Sequence, residues 1–424
     1  MLPVRLIVTG PVAAVEIELD GKTLRTMRTP PWSADVDLGS ALAPHELIAR
    51  ALAPDGSRVA ISRQWLNLPR PPAEVEVLLE QGVDGRAKAA QLSWQSVTAQ
   101  EPKTVTAKLN GKPLDVSPER RLTLPAYEAG ETQLLSIELE FDNDVKSRKD
   151  VVLGGASGSE AGHELTSIPI RVKGSGEPTA STLRGSFASR GGTLSVAGVE
   201  EGPAFLWVVR DSSAAEAARH LGELGLKMFT SRFGSSSRYP GENLKLSLEA
   251  GDRMRFVWPR PVAVAGSALP VHLFPTSRAF LGDKAGLRWL LTSVHNPAPE
   301  STGAHFADAV AVAGINAYAC LQRRAVLLVL GGSDVDESQY AAESVRRYLG
   351  SLHVPVYVWS LGAPSRSAAA WGSVRDVSTT LGMLEAFAEI RKDLASQRIA
   401  WVEGRLLPQD IDIAPGTESV ELVR

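Results

Sequence analysis

The sequence predicts a multidomain chain: two β-sandwiches in tandem, then one doubly wound α/β domain with a mostly parallel sheet. The first observation behind this is an unbroken apolar run, Ala325 to Leu330, that stops at Gly331-Gly332-Ser333-Asp334. A helix-like segment follows, Glu337 to Leu352, and then a second apolar run, Val354 to Ser360. An unbroken run marks a strand buried on both faces, and strand–loop–helix–strand is the unit of a parallel sheet. The second observation is alternation at period two in the amino-terminal half. Val15, Ile17 and Leu19 alternate with Glu16, Glu18 and Asp20, and Ile137, Leu139 and Phe141 with Glu138, Glu140 and Asp142. Such strands have one dry and one wet face. The third is an internal repeat: Leu19-Asp-Gly-Lys-Thr-Leu24 recurs as Leu109-Asn-Gly-Lys-Pro-Leu114. In both copies a short strand, an Ala/Gly-rich turn and a long alternating strand follow, the span of a small sandwich module.

The elements run as follows. Asp20-Gly21 and Asp55-Gly56 are turn dipeptides inside the first module. Leu68-Pro-Arg-Pro-Pro72 is a stiff connector, because consecutive prolines favour extended geometry. It separates a first sandwich over 1–71 from a second over 72–155. Gly154 to Ser159 and Lys173 to Pro178 are turn-rich punctuation, and 156–424 forms the α/β domain. Its strand candidates are Ile168–Val172, Thr193–Val196, Phe205–Val209, Met254–Trp258, Leu269–Phe274, Ala325–Leu330 and Val354–Ser360, with Ile399–Val402 last. Helix candidates alternate with them: Ser213–Leu224, Asp283–Val294, Ala307–Gln322, Ser338–Leu352 and Val377–Ser396. That alternation implies a parallel sheet covered on both faces, and ligands of such sheets sit at the carboxyl ends of the strands.

Composition narrows the functional classes. A net charge of −3 with scattered Lys and Arg lacks the concentrated basic face that nucleic acid requires. One cysteine, Cys320, excludes an intrachain disulfide and falls in an apolar helix-like stretch, a core thiol. No apolar run approaches the roughly 18 residues of a membrane span. Met1-Leu-Pro-Val-Arg leads straight into a strand-like pattern, without the marks of a signal peptide.

Three segments carry a family resemblance. Phe205-Leu-Trp-Val-Val-Arg-Asp-Ser-Ser213, Ala307-Asp-Ala-Val-Ala-Val-Ala-Gly-Ile315 and Ala325 to Ser338 resemble the first strand and its Asp-x-Ser-x-Ser loop, a helix, and the Asp-Gly-x-Asp strand of a von Willebrand factor A-type (VWA) domain. Thr29-Pro-Pro-Trp-Ser-Ala-Asp-Val-Asp37 and Pro44 to Gly56 resemble the immunoglobulin-like modules that precede this domain in bacterial VWA-related proteins. The resemblance implies a secreted, periplasmic or cell-surface setting, although the absence of an export signal leaves the cytoplasm open. It also implies a metal-ion-dependent adhesion site, where Mg²⁺ takes loop hydroxyls, one or two carboxylates and waters, with one position open for a partner's acid. Residue by residue that site is degenerate. Asp211 and Ser213 match the first aspartate and serine, but Ala215 stands at the second serine. The threonine position falls on Ala304, with Thr302 replacing it if the loop shifts by two. Gly331 stands where the motif needs its first aspartate, leaving Asp334 as the remaining acid. Asp211 and Ser213 would be the metal ligands, and the expectation is no resident cofactor, with Mg²⁺ at most weakly bound.

Other constellations are weaker. Asp334-Val-Asp-Glu-Ser338 has the Asp-x-Asp spacing of aspartyl phosphotransferases, but Gly-Gly-Ser separates it from the strand end. Capping of the following helix by Asp334, Asp336 and Ser338 is the favoured reading. Seven dispersed histidines form no zinc cluster, and no nucleophile elbow or phosphate-binding glycine fingerprint occurs. Trp65, Trp94, Trp207, Trp359 and Trp401 fall in strands and read as core, whereas Trp32 and Trp371 lie in loop-like contexts where exposure would make them interface anchors. The sequence therefore points to a non-catalytic protein that binds a protein partner through the strand-end rim of Asp211, Ser213, Thr302, Gly331 and Asp334. The alternatives are a metal-dependent hydrolase or phosphotransferase using Asp211 and Asp334, and a self-assembling structural subunit.

Overall fold

The computed structural model describes residues 1–8, 12–56, 58–68, 73–82, 86–96, 101–128, 133–141, 146–154, 165–174, 176–210, 214, 246–263, 272–283, 287, 291, 303–331, 335–362 and 366–424. The chain divides into two compact units, Met1–Pro69 and Arg70–Arg424.

The first unit is a small antiparallel sandwich. Strands β1 (Leu2–Arg5) and β4 (Ser33–Val36) pair, and β2 (Ala14–Leu19), β3 (Lys22–Met27), β5 (His45–Leu52) and β6 (Arg58–Leu66) form a sheet in the order β3-β2-β5-β6. Val15, Ile17, Met27, Ala34, Val36 and Leu47 are its core, with Trp32 packed against it. The β2–β3 turn is the two-residue Asp20-Gly21, with φ of 50° and 79°. Both values are left-handed, the signature of the hairpin turn whose twist matches the strands. Asp20 also ties the turn to β5, accepting from the Glu46 N–H at 2.9 Å and meeting His45 Nδ1 at 2.7 Å.

The second unit begins with another sandwich. Strands β7 (Ala73–Gln81), β8 (Ala87–Ser96) and β11 (Arg121–Thr123) form one sheet. Strands β9 (Thr104–Leu109), β10 (Lys112–Leu114), β12 (Gln133–Glu140) and β13 (Lys146–Leu153) form the other. The predicted repeat is realised here: Asn110 and Gly111 close the β9–β10 hairpin with φ of 48° and 77°, the geometry of Asp20 and Gly21. Leu135, Ile137 and Leu139 of β12 point into the core as their alternation requires.

Two further antiparallel sheets are built from segments far apart in sequence. Strands β14 (Leu165–Val172), β15 (Phe187–Ser189), β16 (Gly192–Leu194) and β17 (Val196–Glu200) come first; β26 (Gln397–Glu403), β27 (Asp412–Ile413) and β28 (Val420–Leu422) complete them. The orders are β17-β26-β14-β28 and β16-β15-β27, around Ile168, Ile170, Leu183, Phe187, Ala400, Val402 and Ile411. The expected last strand of the parallel sheet, Ile399–Val402, is therefore an antiparallel strand of this split sandwich. Its residues are apolar because both faces are covered, Ala400 and Val402 by the core of the split sandwich and Trp401 by Arg148 of the second sandwich, a burial pattern that does not reveal strand direction.

Between β17 and β26 stands the α/β body. Strands β18 (Ala204–Arg210), β19 (Arg253–Val257), β23 (Arg323–Leu330), β24 (Val356–Ser360) and β25 (Arg375–Asp376) are parallel, and β22 (Phe280–Leu281) adds an antiparallel edge in the order β22-β19-β18-β23-β24-β25. Strands β20 (Val262–Ala263) and β21 (His272–Leu273) pair only with each other, so the expected strand Leu269–Phe274 lies outside the main sheet. Every residue of β18 and β23 is buried. Helices α1 (Phe306–Ala319), α2 (Ala342–Ser351) and α3 (Thr380–Ser396) match three of the expected helices. The expected helices at Ser213–Leu224 and Asp283–Val294 lie largely outside the described residues. Helices α1 and α2 approach closely at Gly314, where a Cβ would stand 2.1 Å from Leu349 Cδ2. Trp371 is buried, its carbonyl accepting from Arg346 Nη1 at 2.6 Å, so it is no exposed anchor. No helix among the described residues is long and apolar enough to cross a membrane.

The body is pinned at its base. Arg323 donates to the Gly202 carbonyl and the Leu394 carbonyl, both at 2.8 Å, which joins the segment entering the body to the helix leaving it. Asp252 accepts from the Ala204 N–H at 2.8 Å and lies 3.5 Å from the Arg323 guanidinium. Helix α3 then runs directly into β26, and Gln397 spans the step by accepting from the Arg324 N–H at 3.0 Å.

Candidate functional site

The parallel strands end on one rim, with Arg210 closing β18, Leu330 closing β23, Ser360 closing β24 and Asp376 closing β25. Of the residues expected to form the site, Asp211, Ser213, Thr302 and Asp334 lie outside the described residues, as does Ala215. Gly331 is described: it directly follows β23 and is buried, a position with no side-chain oxygen to offer. Ala304, the other candidate for the threonine position, is buried, and its carbonyl accepts from the Glu337 N–H at 2.8 Å.

What the described part of the rim displays is a reciprocal lock between two loops. The Asp336 carboxylate accepts from the N–H groups of Phe306 at 2.9 Å, Ala307 at 3.3 Å and Ser338 at 3.1 Å. The Ser338 hydroxyl donates to the same carboxylate at 2.5 Å and accepts from the Asp308 N–H at 3.1 Å. In return Asp308 accepts from the N–H groups of Gln339 at 3.0 Å and Tyr340 at 3.3 Å. The amides of Phe306, Ala307 and Asp308 are the orphan donors of the α1 start, which need an acceptor and favour a negative one. Those of Ser338, Gln339 and Tyr340 belong to the loop ahead of α2. His305 stands at the N-cap position of α1 without a side-chain cap bond, so Asp336 supplies the cap from another loop.

This corrects the expected capping. Asp336 and Ser338 cap α1, the helix before them in sequence, while α2 begins at Ala342 behind an uncapping Ala341. The helix predicted from Ser338 starts late because the amides of residues 338–340 are already committed to Asp336 and Asp308. Replacing Asp336 by alanine is expected to lower stability by about 1–2 kcal/mol through loss of this cap. Urea unfolding reads the change; asparagine, which keeps one acceptor oxygen, should cost less.

Around the lock, the His305 N–H donates to the Pro259 carbonyl at 2.6 Å, and its ring meets Phe274 edge-on at 6.4 Å. Arg210 is buried, with its guanidinium 5.0 Å from the Phe256 ring centre. Two apolar side chains on the loop leaving β23 face solvent, Val335 at 64 % exposure and Tyr340 at 45 %. A third, Leu381 at 66 %, stands in the first turn of α3, beyond the end of β25. Among the described residues no group of three His, Cys, Asp or Glu side chains could hold a metal ion. Asp308, Val335, Tyr340 and Leu381 are not among the site residues expected from the sequence. Asp308 carried a signal, since an acid in a helix's first turn is a capping candidate. The three apolar residues carried none, because an apolar residue in a loop is as often buried as exposed.

No protein-family model matches the chain, and no curated protein matches it. Solved structures do. Proximal thread matrix protein 1 from the mussel byssus is 12% identical, with a TM-score of 0.28, over 46% of this chain and 48% of that one. A second structure of that mussel protein has a zinc-occupied MIDAS motif. The human COPII-coat protein Sec24c is 14% identical with a TM-score of 0.26, over 48% of this chain and 39% of its own. The fibronectin(III)-like modules of Clostridium thermocellum CbhA are 16% identical with a TM-score of 0.16, over 38% of this chain and 90% of theirs. The chain thus spans about half or less of the length of the mussel and coat proteins it matches.

Proposed function

We propose that this is a non-catalytic protein-binding or assembly protein whose recognition head is the strand-end rim of the α/β body, without a tightly bound metal. The observation that carries the reading is the solvent-facing trio Val335, Tyr340 and Leu381, held on connections that leave the carboxyl ends of β23 and β25. Apolar and aromatic side chains that protrude from a rigid frame are the anchors of protein interfaces. The frame is rigid because Asp336 and Asp308 hold backbone amides. Carboxylates engaged in that way are poor nucleophiles and poor metal ligands, since a ligand role would cost the helix cap. Gly331 in place of an aspartate points the same way. By resemblance to VWA-related proteins the setting is secreted, periplasmic or cell-surface, with the sandwiches as spacers.

The test is affinity capture with the full chain as bait, in parallel with Val335→Asp and Leu381→Asp, in Mg²⁺ and in chelator. The expected result is a partner retained equally in both buffers whose affinity falls at least about tenfold in each variant, the effect of losing a single interface anchor. Equal retention by the variants would remove the rim from the reading. Loss in chelator would restore a metal-dependent site built on Asp211.

A further inference from the structure

The outer face of β12 and β13 is turned away from the core of the second sandwich and carries Leu134, Ser136, Glu138, Arg148, Asp150 and Val152. An outer face should be wet, yet Asp150 is 5% exposed and Val152 3%. The split sandwich covers it. A Cβ at Gly198 would stand 3.4 Å from Leu134 Cδ2, so β17 lies directly on this face. Arg148 grips Glu200 at the end of β17 with two parallel bonds, Nη1 to Oε2 at 2.9 Å and Nη2 to Oε1 at 2.6 Å. The same guanidinium donates to Asp150 through Nε at 2.8 Å and Nη2 at 3.0 Å, and lies 4.7 Å from the Trp401 ring centre. Ser136 adds a donor to Asp150 at 2.5 Å.

One cation therefore serves two carboxylates that belong to two different sandwiches. Forked arginine–carboxylate bonds fix orientation as well as distance, and stacking on an aromatic face fixes the guanidinium plane. Burial pushes the Asp150 carboxyl up, and the Arg148 charge opposes that rise. Burial also pulls against the charged Arg148, but the bonds and charges of Glu200 and Asp150 outweigh it and hold the guanidinium above its ordinary range. Without the cation, two carboxylates would confront one another across the joint. Without Glu200, a neutral and complete Arg148–Asp150 pair would remain inside one sandwich.

We propose that Arg148 is a latch that sets the angle between the second sandwich and the split sandwich, closed while its guanidinium bridges Asp150 and Glu200. This is separate from the rim and stands whatever the rim binds. The latch edges an open cleft of about 420 Å³ that Lys108, Glu138 and Glu201 also line, so solvent and salt reach it.

The charge logic ranks three variants of the full chain, read by small-angle X-ray scattering and by amide exchange. Arg148→Met should raise the radius of gyration most and speed exchange in β13 and β17, because repulsion replaces attraction. Glu200→Gln should give a smaller rise. Arg148→Met combined with Asp150→Asn should return part of the compactness, because the facing like charges are gone. If Arg148→Met fails to fold, Glu200→Gln decides alone, since it leaves Asp150 paired. Wild-type scattering and exchange in Glu200→Gln would overturn the latch, even if Arg148→Met lowered the melting temperature. So would a double variant more open than Arg148→Met.

Discussion

Replacing Arg324 by leucine is expected to lower unfolding stability by about 3–5 kcal/mol, from the unmet carbonyls and the misfit of a smaller side chain. Arg324 is fully buried at the base of β23, where, among the described residues, its guanidinium is met by backbone carbonyls. Its guanidinium donates to the Leu352 carbonyl at 3.1 Å, the His353 carbonyl at 3.4 Å and the Tyr318 carbonyl at 3.5 Å. Those oxygens belong to the ends of α1 and α2, where the helix dipoles are negative and a cation is favoured. The Tyr318 ring, 5.1 Å away, offers its electron-rich face as well. Burial brings the Arg324 pKa down to about 10, which still leaves it charged at neutral pH. Leucine would fill part of the space and leave the carbonyls without a donor. Lysine keeps the charge but not the fork, so an intermediate loss is expected. Urea unfolding of the three proteins gives the ranking, and a leucine variant within 1 kcal/mol of wild type, less than a typical buried unsatisfied group costs, would refute this account.

The second large effect is acid lability centred on His353. This residue is buried, follows α2 with a left-handed φ of 54°, and faces two carbonyls: Nδ1 meets Val423 O at 3.2 Å and Nε2 meets Pro408 O at 3.0 Å. Burial pulls its pKa from 6.5 down to about 4, helped by the charges of Arg324 and Arg424, while the two carbonyls pull the other way. Burial prevails because the site is dry and cationic, so the fold holds the neutral ring. The unfolded chain then binds the proton first. The contribution is complete above about pH 6.5 and is lost as pH falls toward 4, at a total cost of roughly 3 kcal/mol. His353→Gln should remove that part of the pH dependence. Urea midpoints at pH 7, 5.5 and 4.5 provide the comparison, and an unchanged slope in the variant would exclude His353 as the source.

The legible parts of this fold were those set by neighbours in sequence. Ala325 to Leu330 announced a strand buried on both faces, and β23 is one. Leu19-Asp-Gly-Lys and Leu109-Asn-Gly-Lys announced twin hairpins, because a two-residue turn fixes its own backbone angles. What escaped were pairings that only the folded chain makes. Nothing local in Ile399 to Val402 says that its neighbours are β14 and β17 rather than β23. Likewise, Asp336 carries the sequence of a cap for the next helix but finds the amides of Phe306 and Ala307 nearer. At the site, Gly331 offers no acid by its identity alone, whereas the solvent exposure of Val335 and Leu381 depends on what the surrounding loops leave uncovered.

The split sandwich has a consequence for how the protein is made. In its larger sheet β26 lies between β17 and β14, so neither of the earlier strands has its neighbour until residue 397 and those after it have left the ribosome. The Thr166 hydroxyl, for example, donates to the Gly404 carbonyl 238 positions later. A contact that distant carries a large closure entropy unless the intervening chain has already folded. The α/β body removes that cost, since Arg323 holds its entry and exit together at Gly202 and Leu394. Formation of the body first would therefore deliver β26 into place, and β14 lacks this neighbour until that strand has emerged.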